Sequence, residues 1–589
     1  MAKKVKKKDK LPKNPFTNIA ISLSGGGFRA SAFHLGIISY LSTKTYIDVT
    51  LLERTKIIST SSAGTFVGAK YISSLKKGGN IKDCYKSLYT FLTQCDLVSL
   101  ALKYLSEDEN WENNNRGRTL INAFASVYYR EFESELFSLL WDEKHPIHLK
   151  EICFNATEFH FGLPFRFQKS ELTTSQINHP DHHFIGNKKI RIPIDVAKEI
   201  RLADIIAASS CFPFGFEPIN FPDDFIHAEA VKLKDKSLLP QNVYDGDKIH
   251  YPIGLMDGSI DDNQGVDGII SAEERMRHYP KELQPLISDD EKAVDLYIIS
   301  DASSPKIDSY TRRPSDKLSF IGKWNFESLK YFGIASFFVG AGSIAYAFFS
   351  TFKLNVIALS IFGTLGLLTA FILLIFTIGL TILTRKLGVP EFAVKRLLHV
   401  KRLKLGTMYN MLVNRRKSSM TLVSDVFIKH MRWFSYERVY GDIAWRPRLI
   451  MNAIFEFTQE EVEKRKRKYP HFNTELLEPG EKIIRATSKA NNMGTRLWFI
   501  TEELEGEKNM PNTLIACGQF TICFSLLEYI EKYIKNPKYQ KNYEKYSEET
   551  KQAINLLETA LLADWKRFKE NPYWMVEEWN NFDLSSKHF

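Results

Sequence analysis

The sequence predicts an α/β fold: a mostly parallel sheet between helices, with an inserted transmembrane helical hairpin and a helical C-terminal region. Three observations predict it. Short apolar runs alternate with helical patterning in the first half of the chain. Residues 331–384 hold a single charge, Lys353, and residues 385–589 are rich in Leu, Lys, Arg and Glu.

The apolar runs come first. NIAISLS at 18–24, KIISTSS at 56–62 and AVDLYIISD at 293–301 have the length and continuity of strands covered on both faces. Residues 28–43 between the first two read as a helix. Strand, helix, strand is the unit of a parallel sheet packed under helices.

The charge-poor block divides into 331–352 and 354–384, each free of Asp, Glu, Lys and Arg. A spanning helix needs roughly 20 apolar residues, so each half suffices. Gly340, Gly342, Gly363 and Gly366 would let the two helices pack closely. Lys323 and Lys330 precede the pair; Arg385, Lys386, Lys395 and Arg396 come after it. Basic flanks on both sides predict a hairpin with both ends, and the domains they carry, in the cytoplasm. The alternative is a helical hairpin buried in a soluble core. The expected layout is a basic tail at 1–17, an α/β domain at 18–320, the hairpin at 331–384 and a C-terminal region at 385–589 packing on the α/β domain.

Composition excludes other classes. With 44% hydrophobic and 25% charged residues, the 589-residue chain is neither disordered nor fibrous. Part of the net charge of +10 is local, because the first 13 residues hold seven lysines. That tail is either simply solvated or touches anionic lipid, as the basic run at 385–404 would also do. No nucleic-acid module is present, so nucleic acid is not an expected partner. Cys84, Cys95, Cys153, Cys211, Cys517 and Cys523 form no CxxC pair and read as buried thiols in a reducing compartment. No apolar run succeeds the N-terminal lysines, so no secretory signal is expected.

Three sites carry chemistry. Ser24-Gly25-Gly26-Gly27-Phe28-Arg29-Ala30 comes directly after the first strand and opens a helix. Consecutive glycines let backbone N–H groups converge on an anion at a helix N-terminus. The spacing is not GxGxxG and no GK[ST] is present there, which disfavours a nucleotide. Next, Thr60-Ser61-Ser62-Ala63-Gly64 joins the second strand to a helix, the setting of a nucleophile elbow with Thr60 where GxSxG has glycine. Helix capping is the plainer reading of those serines. Finally, Asp257-Gly258-Ser259 ends an apolar run. It reads as a turn or, from Asn263 to Glu274, as a poor match to a calcium loop whose first acidic ligands are missing; no metal is expected.

In this order, SGGGFRA, the serine of TxSxG and the Asp-Gly of MDGSIDDNQG resemble the patatin-like phospholipases. ASSCFPFGFEPI at 208–219 and, more loosely, FNATEF at 154–159 resemble blocks of the same family. The resemblance covers about residues 18–305. It departs from the family at Thr60, and at Ser259, where glycine or alanine is usual. It implies a patatin-like three-layer sandwich and a lipid acyl hydrolase needing no cofactor. Ser62 is the implied nucleophile and Asp257 its base, with an oxyanion hole at Gly25, Gly26 and Gly27. Thr60, Gly64 and Gly258 would support the elbow and the Asp-Gly turn, and Arg29 would orient the substrate or the loop. Membrane lipids are the implied substrates; no oligomeric state is implied. A Ser-His-Asp triad using His278, His399 or His430 ranks below the dyad, since no motif surrounds these histidines. The rival reading is a catalytically silent scaffold that keeps the fold to bind lipid or a partner.

Overall fold

The computed structural model describes residues 12, 14–111, 116–171, 184–240, 244–245, 248–249, 253–277, 294–303, 320–349, 353–386, 404–441, 445–468, 478–505 and 509–581. Most of the N-terminal tail, the basic run at 387–403, His278 and His399 lie outside these residues. The chain divides into two compact units, one formed by 1–306 with 428–589 and the other by 307–427.

The first unit is built on a ten-stranded sheet. In chain order its strands are β1 (Ile19–Leu23), β2 (Thr55–Ser61), β3 (Glu151–Glu158), β4 (Leu163–Ser170), β5 (Phe184–Gly186), β6 (Arg191–Pro193), β7 (Ile219–Phe221), β8 (Ile253–Asp257), β9 (Leu296–Asp301) and β10 (Leu449–Ala453). The main path runs β10-β9-β1-β2-β3-β4-β5-β6, parallel from β10 to β3 and antiparallel beyond. β1, β3 and β9 are buried along their whole length, as expected of strands covered on both faces.

The helices that matter to the site are α1 (Gly27–Leu41), α2 (Gly64–Lys76), α3 (Leu202–Ser209), α4 (Ser259–Asp262) and α5 (Val266–Arg277). After β9 the chain leaves for the second unit. It returns as α8 (Ile428–Tyr440) once α6 (Phe326–Phe349) and α7 (Lys353–Lys386) have been made. The C-terminal region adds α9 (Glu481–Asn492), α10 (Met510–Tyr529) and α11 (Glu548–Glu570).

From Ile428 onward this region is part of the first unit and supplies a strand, which its helical patterning did not predict. β10 is only five residues, too short for periodicity to reveal, yet it pairs in register with β9 from Tyr297↔Leu449 to Asp301↔Ala453. α10 lies against α1 with backbones nearly touching. A Cβ on Gly36 would come 2.0 Å from Ile515 O, and one on Gly518 would come 2.0 Å from Phe33 O. Phe457 and Trp565 pack on Phe524 from the other side.

In the second unit α6 and α7 pair through glycine. A Cβ on Gly340 would lie 2.9 Å from Gly363 O, and one on Gly366 would lie 2.9 Å from Ser336 O. The outward side chains are apolar, among them Phe338, Phe348, Ile361 and Phe371. Among the described residues, two helices are long and apolar enough to cross a membrane: Tyr331–Phe349, which is exposed, and Met510–Ile534, which is core.

Candidate active site

The glycine loop continues β1 and is fixed before it reaches the site. Ser24 N donates to Ser300 O at 3.2 Å, and Ser24 Oγ accepts from Ala302 N at 2.9 Å. His34 on α1 lies 2.9 Å from Ser24 O through Nε2 and 2.8 Å from Ser300 Oγ through Nδ1. A carbonyl only accepts, so Nε2 carries the proton and Nδ1 receives the serine hydroxyl. Complete burial brings the His34 pKa down to about 4, which keeps the ring neutral at ordinary pH.

Two glycines of the loop are demanded by geometry. A Cβ on Gly25 would come 2.0 Å from Ser259 Oγ and 2.9 Å from Ser62 Cβ. Gly27, at φ +63°, has the Arg496 backbone so close that a Cβ would meet its carbonyl at 2.2 Å. Gly25 N–H donates to Asn263 O and Phe28 N–H to Arg496 O. Among the described residues no carbonyl receives the N–H of Gly26 or Gly27, and both sit at the amino end of α1. The loop therefore offers an anion those two donors, while Gly25 supplies room.

Ser62 succeeds β2 at φ +51°, a left-handed conformation that costs a non-glycine residue about 1–3 kcal/mol. The surroundings hold it there. Ser62 N donates to Ser209 Oγ at 3.0 Å and Ser62 O accepts from Thr65 N at 2.8 Å. A Cβ on Gly64 would strike Leu23 O at 2.3 Å, so the turn runs tight under β1. Thr60 fits because the helix opposite gives way: a Cβ on Gly68 would come 2.6 Å from the Thr60 methyl. Its hydroxyl joins a chain from Thr65 Oγ1 (2.9 Å) through Ser209 Oγ (2.8 Å) to Asn155 O (2.6 Å).

The sheet register brings Asp257 to the serine. Along β3, Asn155 pairs with Ser61 of β2, and the next residue, Ala156, pairs with Asp257 of β8. One strand thus aligns the end of β2 with the end of β8. Ser62 Oγ donates to Asp257 Oδ2 at 2.8 Å, and Asp257 Oδ1 accepts from Ser259 N at 2.7 Å. Gly258 lets this turn pass under Asn155, whose carbonyl a Cβ would meet at 2.3 Å. Burial pushes the Asp257 pKa up. The Ser259 N–H, the Ser62 hydroxyl and the charge of Arg432 pull against that rise.

Arg29 is held by the backbone just beyond α9. It is 3% exposed, and its Nη1 donates to Met493 O at 2.7 Å. Burial lowers its pKa to about 10, against the opposing charge of Asp301. The side chain expected to orient the substrate or the loop ties the helix after the glycine loop to the segment beyond α9. His430 is exposed on α8 and stacks on Trp433. Sequence reasoning missed Ser209, Asn155, His34, Arg432 and the 493–496 segment. Ser209 and Asn155 lie inside the two blocks that resemble family motifs, so a signal existed for them; no motif surrounds the others.

A hydroxyl strained onto a strand-to-helix turn, a desolvated carboxylate receiving its proton and unclaimed N–H groups alongside form the arrangement that acyl transfer through serine requires. Residues 21–269 match the family model of patatin-like phospholipases, and over that stretch the chain is a patatin-like phospholipase domain. The match supports a patatin-like phospholipase assignment for that domain, a family of lipid acyl hydrolases whose substrates are lipids. A comparison with curated proteins gives no match.

Proposed function

We propose that the protein is a membrane-anchored serine acyl hydrolase, of phospholipase A or lysophospholipase type, that cleaves lipid carboxylic esters with a Ser62–Asp257 dyad. The observation that carries this reading is the 2.8 Å hydrogen bond from Ser62 Oγ to Asp257 Oδ2, with the other carboxylate oxygen held by Ser259 N. Asp257 takes the hydroxyl proton as Ser62 attacks the ester carbonyl. Burial favours this step, because it raises the basicity of a carboxylate that is a weak base in water. Gly26 and Gly27 N–H groups receive the oxyanion. The alcohol leaves with the proton from Asp257, and water then cleaves the acyl-enzyme by the same route.

The anchor in this reading is the α6–α7 hairpin. Its exposed phenylalanines and isoleucines form an apolar surface that water would penalise. With basic sequence on both flanks, the catalytic unit sits on the cytoplasmic side, close to its substrate. Anionic lipid would be drawn to the same flanks.

A fluorophosphonate probe tests the nucleophile. The full-length protein in detergent is expected to label, and Ser62→Ala is expected not to. Asp257→Asn should slow ester hydrolysis roughly 10²- to 10⁴-fold. Failure of the wild type to label, where a lipase control does, returns the silent scaffold; equal labelling of Ser62→Ala moves the nucleophile elsewhere.

A further inference from the structure

Arg432 lies outside residues 21–269, on the helix that brings the chain back from the second unit. Its Nε donates to Ser259 O at 2.6 Å. Ser259 N donates to Asp257 Oδ1, and Asp257 Oδ2 accepts from Ser62 Oγ. Three hydrogen bonds therefore connect the guanidinium to the serine, and its charge acts on the Asp257 carboxyl.

The bond to Ser259 uses one of the five N–H donors of an arginine. Among the described residues no carboxylate, carbonyl or hydroxyl receives Nη1 or Nη2, and the side chain is only partly buried. The helix beneath it is fixed. Tyr440 OH donates to Gln264 Oε1 at 2.9 Å, and Gln264 Nε2 donates to Asp301 Oδ2 at 2.6 Å. Arg432 is thus held at one edge of its plane with the other edge unclaimed, beside a buried anion.

A phosphodiester brought to this site carries a negative charge towards a carboxylate that must stay ionised. Like charges in a poorly solvated cleft oppose each other, and a cation next to both relieves the conflict. Arginine suits the task because its planar fork matches two phosphate oxygens. Arg29 is buried against Met493 O and does not fill this role.

We propose that Arg432 binds the headgroup phosphate of a glycerophospholipid while the ester carbonyl lies against Ser62. This rests on the acyl-hydrolase reading and adds the residue that recognises the headgroup. The residue comes from beyond the family-matched segment, so the C-terminal region completes the substrate site as well as the fold.

The test compares full-length wild type, Arg432→Gln and Arg432→Lys on phosphatidylcholine and on diacylglycerol of the same acyl chains, in the same mixed micelles. Arg432→Gln should lose about 10- to 100-fold in kcat/KM on phosphatidylcholine, the scale of lost charge-assisted hydrogen bonds, mostly through KM. Diacylglycerol hydrolysis should fall by a clearly smaller factor, set by the charge removed beside Asp257 alone, and Arg432→Lys should recover part of the loss on phosphatidylcholine. Inorganic phosphate, added as a competitor, should inhibit the wild type far less than a non-hydrolysable ether phospholipid does. Equal inhibition would make the site one for free phosphate and overturn the headgroup assignment. Equal losses on both substrates, with the acid limb of both pH profiles displaced, would make Arg432 a support for Asp257 and overturn the proposal. No loss on either would do the same. If Arg432→Gln does not fold, Arg432→Lys carries the comparison, since it keeps the charge and removes the fork. A wild type that hydrolyses neither lipid overturns the acyl-hydrolase reading itself.

Discussion

Two helices of this chain pass the same test of length and apolarity and have opposite fates. Tyr331–Phe349 is 11% buried, whereas Met510–Ile534 is 94% buried. Composition does not separate them. What separates them is whether the chain supplies a surface to meet the helix. The second has α1 along it, with Gly36 and Gly518 each admitting the other helix's backbone, and Phe457 and Trp565 behind. Among the described residues the first is met by α7, which covers one side through Gly340, Gly363 and Gly366, and by Trp324 at its start. An apolar helix is a demand for apolar surroundings; the rest of the sequence decides whether protein meets it.

The same substitution in each helix should break this comparison if it is wrong. Leu526→Asp puts a carboxylate where no side chain is accessible, a cost of several kcal/mol against a total stability of about 5–15. The expected outcome is loss of near-ultraviolet circular dichroism and of probe labelling at Ser62. Leu365→Asp sits on an exposed face of α7. It should leave the thermal midpoint of the detergent-solubilised catalytic unit unchanged. Its effect should appear in membrane insertion, at roughly 2.5–3.5 kcal/mol, read as easier extraction by carbonate.

Removing residues 331–384 sharpens the contrast. The sheet, the glycine loop, the dyad and α10 all come from the first unit, so the shortened chain is expected to label at Ser62 and to hydrolyse a water-soluble ester. It should no longer need detergent for extraction. Release of the intact chain by high salt alone would refute the anchor.

How much of this was legible in the sequence depends on the range of the forces involved. β1, β2 and β9 announced themselves because strands buried on both faces read as continuous apolar runs. The turns at Gly25–Gly27, Ser62 and Asp257-Gly258 were visible because such geometry restricts residue type. β10 was not visible, since five residues set in a basic and helical stretch have no pattern of their own. Thr60 looked like a flaw in the elbow because its compensation, Gly68, lies about one turn into the next helix. For Arg29 the motif left two roles open, because it marks a residue as near the glycine loop without saying which way its side chain turns. Arg432 and the Arg496 carbonyl reach the site from more than 150 residues away, a juxtaposition that only the folded chain creates.

A smaller effect probes how the buried helix is held. His34 sits on α1, the helix that covers α10, and its pKa is about 4 in the folded protein against about 6.5 unfolded. The unfolded chain therefore binds the extra proton first. Stability from this group is whole above about pH 6.5 and is lost as the pH falls towards and through about 4. Asp261 and Asp262, raised to about 6 by burial, work in the opposite sense, so the test is a difference between two chains. His34→Gln should be less stable than wild type at pH 7, with the gap narrowing by about 2 kcal/mol at pH 5. Thermal melts of both chains at the two pH values measure this. A gap that stays constant would mean that the ring is not neutral in the core.

The smallest effect divides the exposed helix itself. Gly340 and Gly342 are two residues apart on α6, yet a Cβ on Gly340 would lie 2.9 Å from Gly363 O and 3.0 Å from Leu367 N, while one on Gly342 meets nothing within 4 Å. Gly340→Leu should pry the hairpin apart at a cost of about 1–3 kcal/mol, seen as a lower melting temperature for its helical signal in detergent. Gly342→Leu should stay within about 0.5 kcal/mol of wild type, or rise slightly, because leucine is the better helix former. If both substitutions cost the same, the open side of α6 has a protein partner, and the contrast between the two apolar helices becomes one of degree.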